Sequence, residues 1–202
     1  MFHKLLIALI SAGMTLSAAA YWRSDDIQVS FLTTKLAPQS STATELNTFS
    51  PSSAVIDFEG KMRAEIELSS LDTGITVRNQ RIQEMLFSAV KSGQLLVKAS
   101  VAMDKIERLK AGQQLRLSQS LHLTFGAAET DVTANLLVTK LSEKRFSVLT
   151  LKPIVVELRL LDVDKGVNDL REIAGLEAIG MQTPVSFNGT FTLVSGANDG
   201  LE

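Results

Sequence analysis

The sequence predicts an all-β protein, an antiparallel barrel of eight strands with two short helices packed on it. Three observations carry this. Apolar and polar residues alternate through seven or eight segments, and one-sided strands of this kind pair mostly antiparallel, because parallel sheets are covered on both faces and read as continuous apolar runs. Several segments are long, so an open sheet would expose unpaired edges that closure into a barrel removes. Only two segments change from period two to helical spacing.

The chain has 202 residues, a length that suits one domain burying roughly 70% of the surface its unfolded chain exposes. Lys and Arg number 20 against 22 Asp and Glu, without runs. That balance gives no footprint for nucleic acid or an anionic membrane. There is no cysteine, which excludes disulfides, a thiol nucleophile, a cysteine-attached lipid and any cysteine-ligated metal. Stability must rest on burial and backbone pairing.

The elements follow in order. "MFHKLLIALISAGMTLSAAA" has a basic Lys4, an apolar run from Leu5 to Leu16 and small residues at Ala18 and Ala20, the pattern of a secretory signal peptide over residues 1–20, cleaved after Ala20. An uncleaved anchor is the alternative. The domain then runs over residues 21–194, with a tail at 195–202, and the expected location is periplasmic or secreted. No later segment approaches ~18 uninterrupted apolar residues, so no stable membrane insertion is expected. The final Leu201-Glu202 pair matches an added terminal scar.

Ile27, Val29 and Phe31 share one face of the first strand. Ala37 to Ser53, rich in Ser and Thr with two prolines, reads as a long loop over a barrel mouth. In "KMRAEIELS" Met62, Ala64, Ile66 and Leu68 oppose Lys61, Arg63, Glu65 and Glu67. The same design recurs at Leu95, Val97, Ala99, Val101 and Met103, and at Leu115, Leu117, Leu121, Leu123 and Phe125 against Arg116, Ser118, Ser120, His122 and Thr124. It returns at Val132, Ala134, Leu136 and Val138, at Ile154, Val156, Leu158 and Leu160, and at Val185, Phe187, Phe191 and Leu193. Polar outer faces exclude a membrane barrel, which needs apolar residues outside.

The first helix is signalled by Ile82, Met85 and Leu86 at helical spacing with Gln80 and Glu84 one turn apart, about two turns in all. The second is "NDLREIAGLEAIG", with Leu170, Ile173, Ala174 and Ile179 on a stripe, Asn168 as N-cap and Gly180 as stop.

Catalytic chemistry finds few materials. Asp72-Thr73-Gly74 matches the aspartic protease triplet, but that reaction shares a proton between two aspartates about 3 Å apart, and the chain carries no second triplet. The alternative is a tight turn in which Asp72 caps local N–H groups, Gly74 supplies positive φ and Arg78 or Arg81 neutralises the carboxylate. His122 falls on a polar face. "DVDKG" at Asp162 to Gly166 lacks the glycine position and closing acid of a calcium loop. Asn188-Gly189-Thr190 matches a glycosylation sequon inside a strand pattern. These observations predict no enzyme, no metal and no cofactor.

The stretch "LDTGITVRNQRIQEMLF" resembles a segment of the YceI-like family of secreted bacterial proteins, matched by Leu71, Asp72, Thr73, Gly74, Arg78, Asn79, Ile82, Leu86 and Phe87. Val29-x-Phe31, Leu121-x-Leu123-Thr124-x-Gly126 and Pro184-Val185-Ser186-Phe187 match further family positions in the same order. Asp26-Ile27 stands where the family has His-Ser, and Phe87 alone where it has Asp-Phe-Phe. The resemblance implies a lipocalin-like barrel, some members of which hold a polyisoprenoid.

The expectation is therefore a carrier of an apolar lipid chain such as an isoprenoid, a quinone tail or a fatty acyl group. The lumen candidates are Phe31, Ile66, Leu68, Ile82, Leu86, Phe87, Met103, Leu117, Leu121, Leu123, Phe187 and Phe191. Asp72 and Gly74 form the turn, and Arg78 and Arg81 secure a lid helix over the mouth. The competing expectation is an envelope interaction or structural protein whose barrel is filled.

Overall fold

The structure is a computed structural model and describes residues 18–196. Its strands are β1 (Ala18–Ala37), β2 (Ser41–Thr48), β3 (Ser52–Ile56), β4 (Lys61–Glu67), β5 (Gln94–Ser100), β6 (Gln114–Phe125), β7 (Ala128–Ser142), β8 (Arg145–Thr150), β9 (Ile154–Glu157), β10 (Ala178–Ile179) and β11 (Gln182–Gly196). Three α-helices accompany them: α1 (Thr76–Ile82), α2 (Met103–Glu107) and α3 (Asp164–Ile173). A π-helical turn, Gln83–Phe87, continues α1.

Neighbouring strands run β1-β3-β4-β5-β6-β7-β8-β11, and β11 pairs back onto β1. Every pairing is antiparallel, so eight strands close a barrel without a free edge. Two walls of the barrel are broken strands. β2 and β3 pair with successive stretches of β1, and β8 and β9 with successive stretches of β11. Pro51 and Pro153 lie at the breaks, where a missing N–H and a fixed φ interrupt a ladder.

β1 changes face along its length. Trp22 and Ser24 are buried, as are Ile27 and Val29, although two even and two odd positions cannot share a face of a regular strand. Both neighbours record one extra β1 residue here, as the register shifts between Ser24 and Ile27 against β3 and between Arg23 and Gln28 against β11. This is a β-bulge, and it flips the side-chain parity. Asp26 pins it, since its carboxylate accepts from Ser24 Oγ at 2.8 Å and from the Thr190 N–H at 3.0 Å.

The end of the barrel reached by β1 and β11 at their outer termini is packed solid. Trp22 lies 4.9 Å from Phe146 between ring centroids, and Phe146 stacks on Phe191 at 5.1 Å. Ile106 of α2 is 1% exposed in the same cluster. Lys140 continues the inward parity of Ala134, Leu136 and Val138, and its Nζ stands 5.1 Å from the Trp22 ring centroid, a cation–π contact that closes this end. β6 pairs with β5 only over His122 to Phe125; farther down, Gln119 Nε2 donates to the Ser100 carbonyl at 3.1 Å across the separation.

The structure departs from the sequence expectation in four places. Ala37 to Ser53 is not a long loop but contains β2 and the start of β3, because β2 turns Ala43, Glu45 and Asn47 inward and leaves Leu46 64% exposed, the reverse of an apolar-inside pattern. Met103 belongs to α2 and not to β5, which ends at Ser100. Leu158 and Leu160 lie in a 3₁₀ turn, Leu158–Leu161, beyond the end of β9. α3 begins at Asp164 rather than at Asn168, and Gly175, with φ 63°, follows it where Gly180 was expected to stop it; positive φ suits a residue just past a helix end. The closed barrel is as predicted, and α1 and α3 stand near the two expected helices, while α2 is additional. The signal peptide lies almost wholly outside the described residues, and its expected cleavage point falls at the start of β1.

Candidate functional site

At the opposite end the barrel is hollow. A cavity of about 590 Å³ runs inside it, within the roughly 300–1,000 Å³ of small-molecule sites. Its wall is built from the inward parity of the strands: Ile27, Val29 and Phe31 on β1, Ile66 on β4, Leu117, Leu121 and Leu123 on β6, and Val185, Phe187 and Phe191 on β11. The floor is formed by the stacked Phe146 and Phe191 with Ile106 beside them in the same core.

The mouth has two sides. One is the chain between β4 and β5. The Asp72–Gly74 turn starts it, with Asp72 Oδ1 accepting from the Gly74 N–H at 2.7 Å and Gly74 at φ 72°. Thr73 is buried and donates through Oγ1 to Asn79 Oδ1 at 2.5 Å, and Asn79 Oδ1 also accepts from the Thr73 N–H at 3.0 Å. This local network gives α1 its start without a side-chain N-cap. Gln83 Nε2 donates to the Leu68 carbonyl at 2.5 Å, tying the π-helical turn to the end of β4. Phe87 meets Phe125 edge to face at 5.9 Å. Under this lid Leu68, Val90, Phe125, Val163 and Val167 form a second small core, with Leu86 and Phe87 packed against it.

The other side is the β1–β2 hairpin together with the segment from α3 to β10. Thr33, Lys35 and Glu45 reach the cavity from the hairpin, and Leu170, Leu176 and Ile179 from the far segment. Ile75 and Val77 of the lid, 47% and 51% exposed, line the cavity where it meets solvent, so the opening lies between α1 and the hairpin.

Eleven of the twelve lumen candidates stand on this wall: Phe31, Ile66, Leu68, Ile82, Leu86, Phe87, Leu117, Leu121, Leu123, Phe187 and Phe191. Met103 does not, because α2 carries it into the core outside the cavity wall. Arg78 and Arg81 both line the mouth. The expected pairing of Arg78 or Arg81 with Asp72 is not formed. Arg78 instead donates from Nε to Thr73 Oγ1 at 3.0 Å, from Nη2 to the Thr73 carbonyl at 2.7 Å and from Nη1 to Glu45. Asp72 is exposed and spends its acceptor on the turn, while the inward side of α1 faces β2.

Lys35 and Glu45 were not among the sequence candidates. Lys35 Nζ lies 2.7 Å from Glu45 Oε1, and the Glu45 carboxyl sits below its ordinary range, chiefly because Lys35 donates to it and also because Arg78 does, against the opposing effect of burial. The inward parity of Lys35 with Ile27, Val29 and Phe31 was the available signal for Lys35; Glu45 had none, lying in a stretch without apolar alternation.

Reactive groups are sparse. His122 is on the outer face with Nδ1 2.9 Å from Asp131 Oδ1, and among the described residues no three acidic or histidine side chains gather as a metal cluster. No described helix is long and apolar enough to cross a membrane. The arrangement provides an apolar enclosure.

No protein-family model matches the sequence, and no curated protein matches it. Solved structures share its fold, two of them as follows. A polyisoprenoid-binding domain from Saccharophagus degradans, implicated in plant cell wall breakdown, superposes with a TM-score of 0.79 at 24% identity, covering 88% of this chain and all of that domain. BcnA of Burkholderia cenocepacia superposes with a TM-score of 0.57 at 15% identity, covering 81% of this chain and 95% of that protein. The fold implied by the resemblance to YceI-like proteins is therefore present over most of the chain.

Proposed function

We propose that the protein binds and carries a long apolar lipid chain inside its barrel, in the periplasm or outside the cell, and performs no covalent chemistry on it. The observation that carries this reading is the cavity itself: about 590 Å³ walled mostly by Leu, Val, Ile and Phe. A filled barrel would use those side chains to pack one another, as they do around Trp22 and Phe146. Each methylene removed from water contributes about 0.8 kcal/mol, so a chain of a dozen carbons binds tightly with few polar contacts. The polyisoprenoid binding of the Saccharophagus domain supports the same class of ligand. An isoprenoid, a quinone tail and a fatty acyl chain all fit an apolar tube of this kind.

Mass spectrometry of organic extracts from protein isolated from its native envelope tests the proposal. The expected result is one long-chain lipid in near-stoichiometric amount, on a chain whose first residue is Tyr21. Repeated extraction without lipid, together with a thermal midpoint indifferent to added polyprenol, fatty acid and quinone, would favour an envelope interaction or structural protein whose barrel is filled.

A further inference from the structure

Four ionisable side chains line the cavity, Lys35, Glu45, Arg78 and Arg81, and all four stand at the mouth. We infer that this mouth holds one acidic headgroup, a carboxylate or a phosphate monoester, on the lipid whose chain occupies the lumen. The inference rests on the lipid-chain reading above and specifies what that lipid carries at its exposed end.

Three of the four groups are already committed. Glu45 lies between Lys35 and Arg78 and accepts from both, and Arg78 is held a second time by Thr73 through Nε and Nη2. That leaves one carboxylate shared by two cations. Arg81, one turn farther along α1, is half-buried, yet among the described residues no hydrogen bond or ion pair satisfies it. A guanidinium carries five donors and no acceptor, and withdrawing such a group partly from water is unfavourable unless an acceptor meets it.

The mouth therefore carries three positive side chains against one negative. A neutral head, such as an alcohol or a quinone carbonyl, would accept a hydrogen bond but leave that imbalance in place. A carboxylate or phosphate reduces it and matches the planar fork of Arg81 with two parallel bonds. Glu45 adds selectivity of position, because it repels an anion from the Lys35 and Arg78 side and leaves Arg81 as the free donor. The apolar rim of Ile75 and Val77 keeps the first methylenes of the chain beside that head.

Displacement of a neutral apolar fluorophore, N-phenylnaphthylamine, tests this with pairs that differ only in the head: geranylgeranyl phosphate against geranylgeraniol, and palmitate against hexadecanol. The expected result is that at least one acid displaces the fluorophore about tenfold more tightly than its alcohol. That ratio should fall towards unity in Arg81→Gln and persist in Arg116→Gln, a change on the exposed outer face of β6. Circular dichroism and the thermal midpoint establish that each variant is folded. If both alcohols bind as tightly as their acids in the unmodified protein, the acidic head is overturned while the lumen reading stands. A preference that survives Arg81→Gln, or falls equally in Arg116→Gln, overturns the assignment to Arg81. Failure of all four compounds to displace the fluorophore removes the lumen reading and this inference with it.

Discussion

Gly166 of α3 lies directly against the Met85 carbonyl of the lid: a Cβ added at Gly166 would overlap that oxygen and come within 2.9 Å of Leu86 Cδ1. α3 and the π-helical turn therefore approach with no side chain between them, and Val167, beside Gly166, is 4% exposed in the small core beneath the lid. Gly166→Ala should push the two apart. Overpacking of this kind costs about 1–3 kcal/mol, and the loss should appear as a lower thermal midpoint with faster amide exchange across residues 83–87. Exchange unchanged in the lid, whatever the midpoint, would show that α3 does not hold it.

The ion pair between Lys35 and Glu45 makes the mouth sensitive to acid. The Glu45 carboxyl is held below its ordinary value of 4.5, so its contribution to stability is complete above that pH and is lost as pH falls through the depressed folded value. Below about pH 4.5, unfolding midpoints of the wild type should decline more steeply than those of Glu45→Gln. Parallel curves for the two proteins through that range would show that the Glu45 pairs contribute nothing net. The difference should also shrink with added salt, because the pair is partly exposed.

Most of the barrel was legible because period two survives wherever a strand has one wet face, as in Leu121, Leu123 and Phe125 against Ser120, His122 and Thr124. What was not legible had physical reasons of its own. β2 turns Glu45 and Asn47 inward and Leu46 outward, since it flanks the mouth, where polar groups meet the cavity and the apolar-inside rule lapses. The β1 bulge hides Trp22, whose parity disagrees with Ile27 and Val29 until the one extra residue between Ser24 and Ile27 is counted. Met103 continues the alternation of β5 in sequence, yet the backbone leaves the strand after Ser100; periodicity records which residues are apolar, not where pairing stops. The apolar wall was readable one strand at a time, but the partner of Arg78 was set by register across a hairpin thirty-three positions away.

The turn before β4 provides a controlled comparison. Gly60 has φ 80° and Gly112 φ 84°, so alanine is strained by a similar backbone cost at both, roughly 1–2 kcal/mol. Their surroundings differ. A Cβ at Gly60 would overlap the Val101 carbonyl oxygen, whereas at Gly112 nothing lies within 4 Å. Gly60 also accepts through its carbonyl from the Val101 N–H at 2.7 Å, a link between the β3–β4 turn and the segment leading into α2. Gly60→Ala should be the more destabilising of the two in denaturant unfolding, and equal losses would show that the Val101 contact relaxes without cost.

The lumen itself is tested by adjacent residues on opposite faces of β6. Leu123 is 6% exposed and on the cavity wall, while His122 points outward to Asp131. Leu123→Trp adds bulk inside a closed barrel, and His122→Trp adds the same ring to a wet surface. If the cavity holds a lipid chain, Leu123→Trp should abolish the rise in thermal midpoint that added lipid produces, because a ligand stabilises only to the extent that it binds the folded state. Its own midpoint without lipid should change little, since the indole enters space that is empty of side chains, whereas overpacking a filled core lowers stability by about 1–3 kcal/mol. His122→Trp should keep the lipid response. The two readings thus separate on the unliganded protein alone: a Leu123→Trp variant that melts well below wild type before any lipid is added indicates a core with no room for a ligand, and a variant that melts normally but no longer responds to lipid indicates an occupied binding cavity.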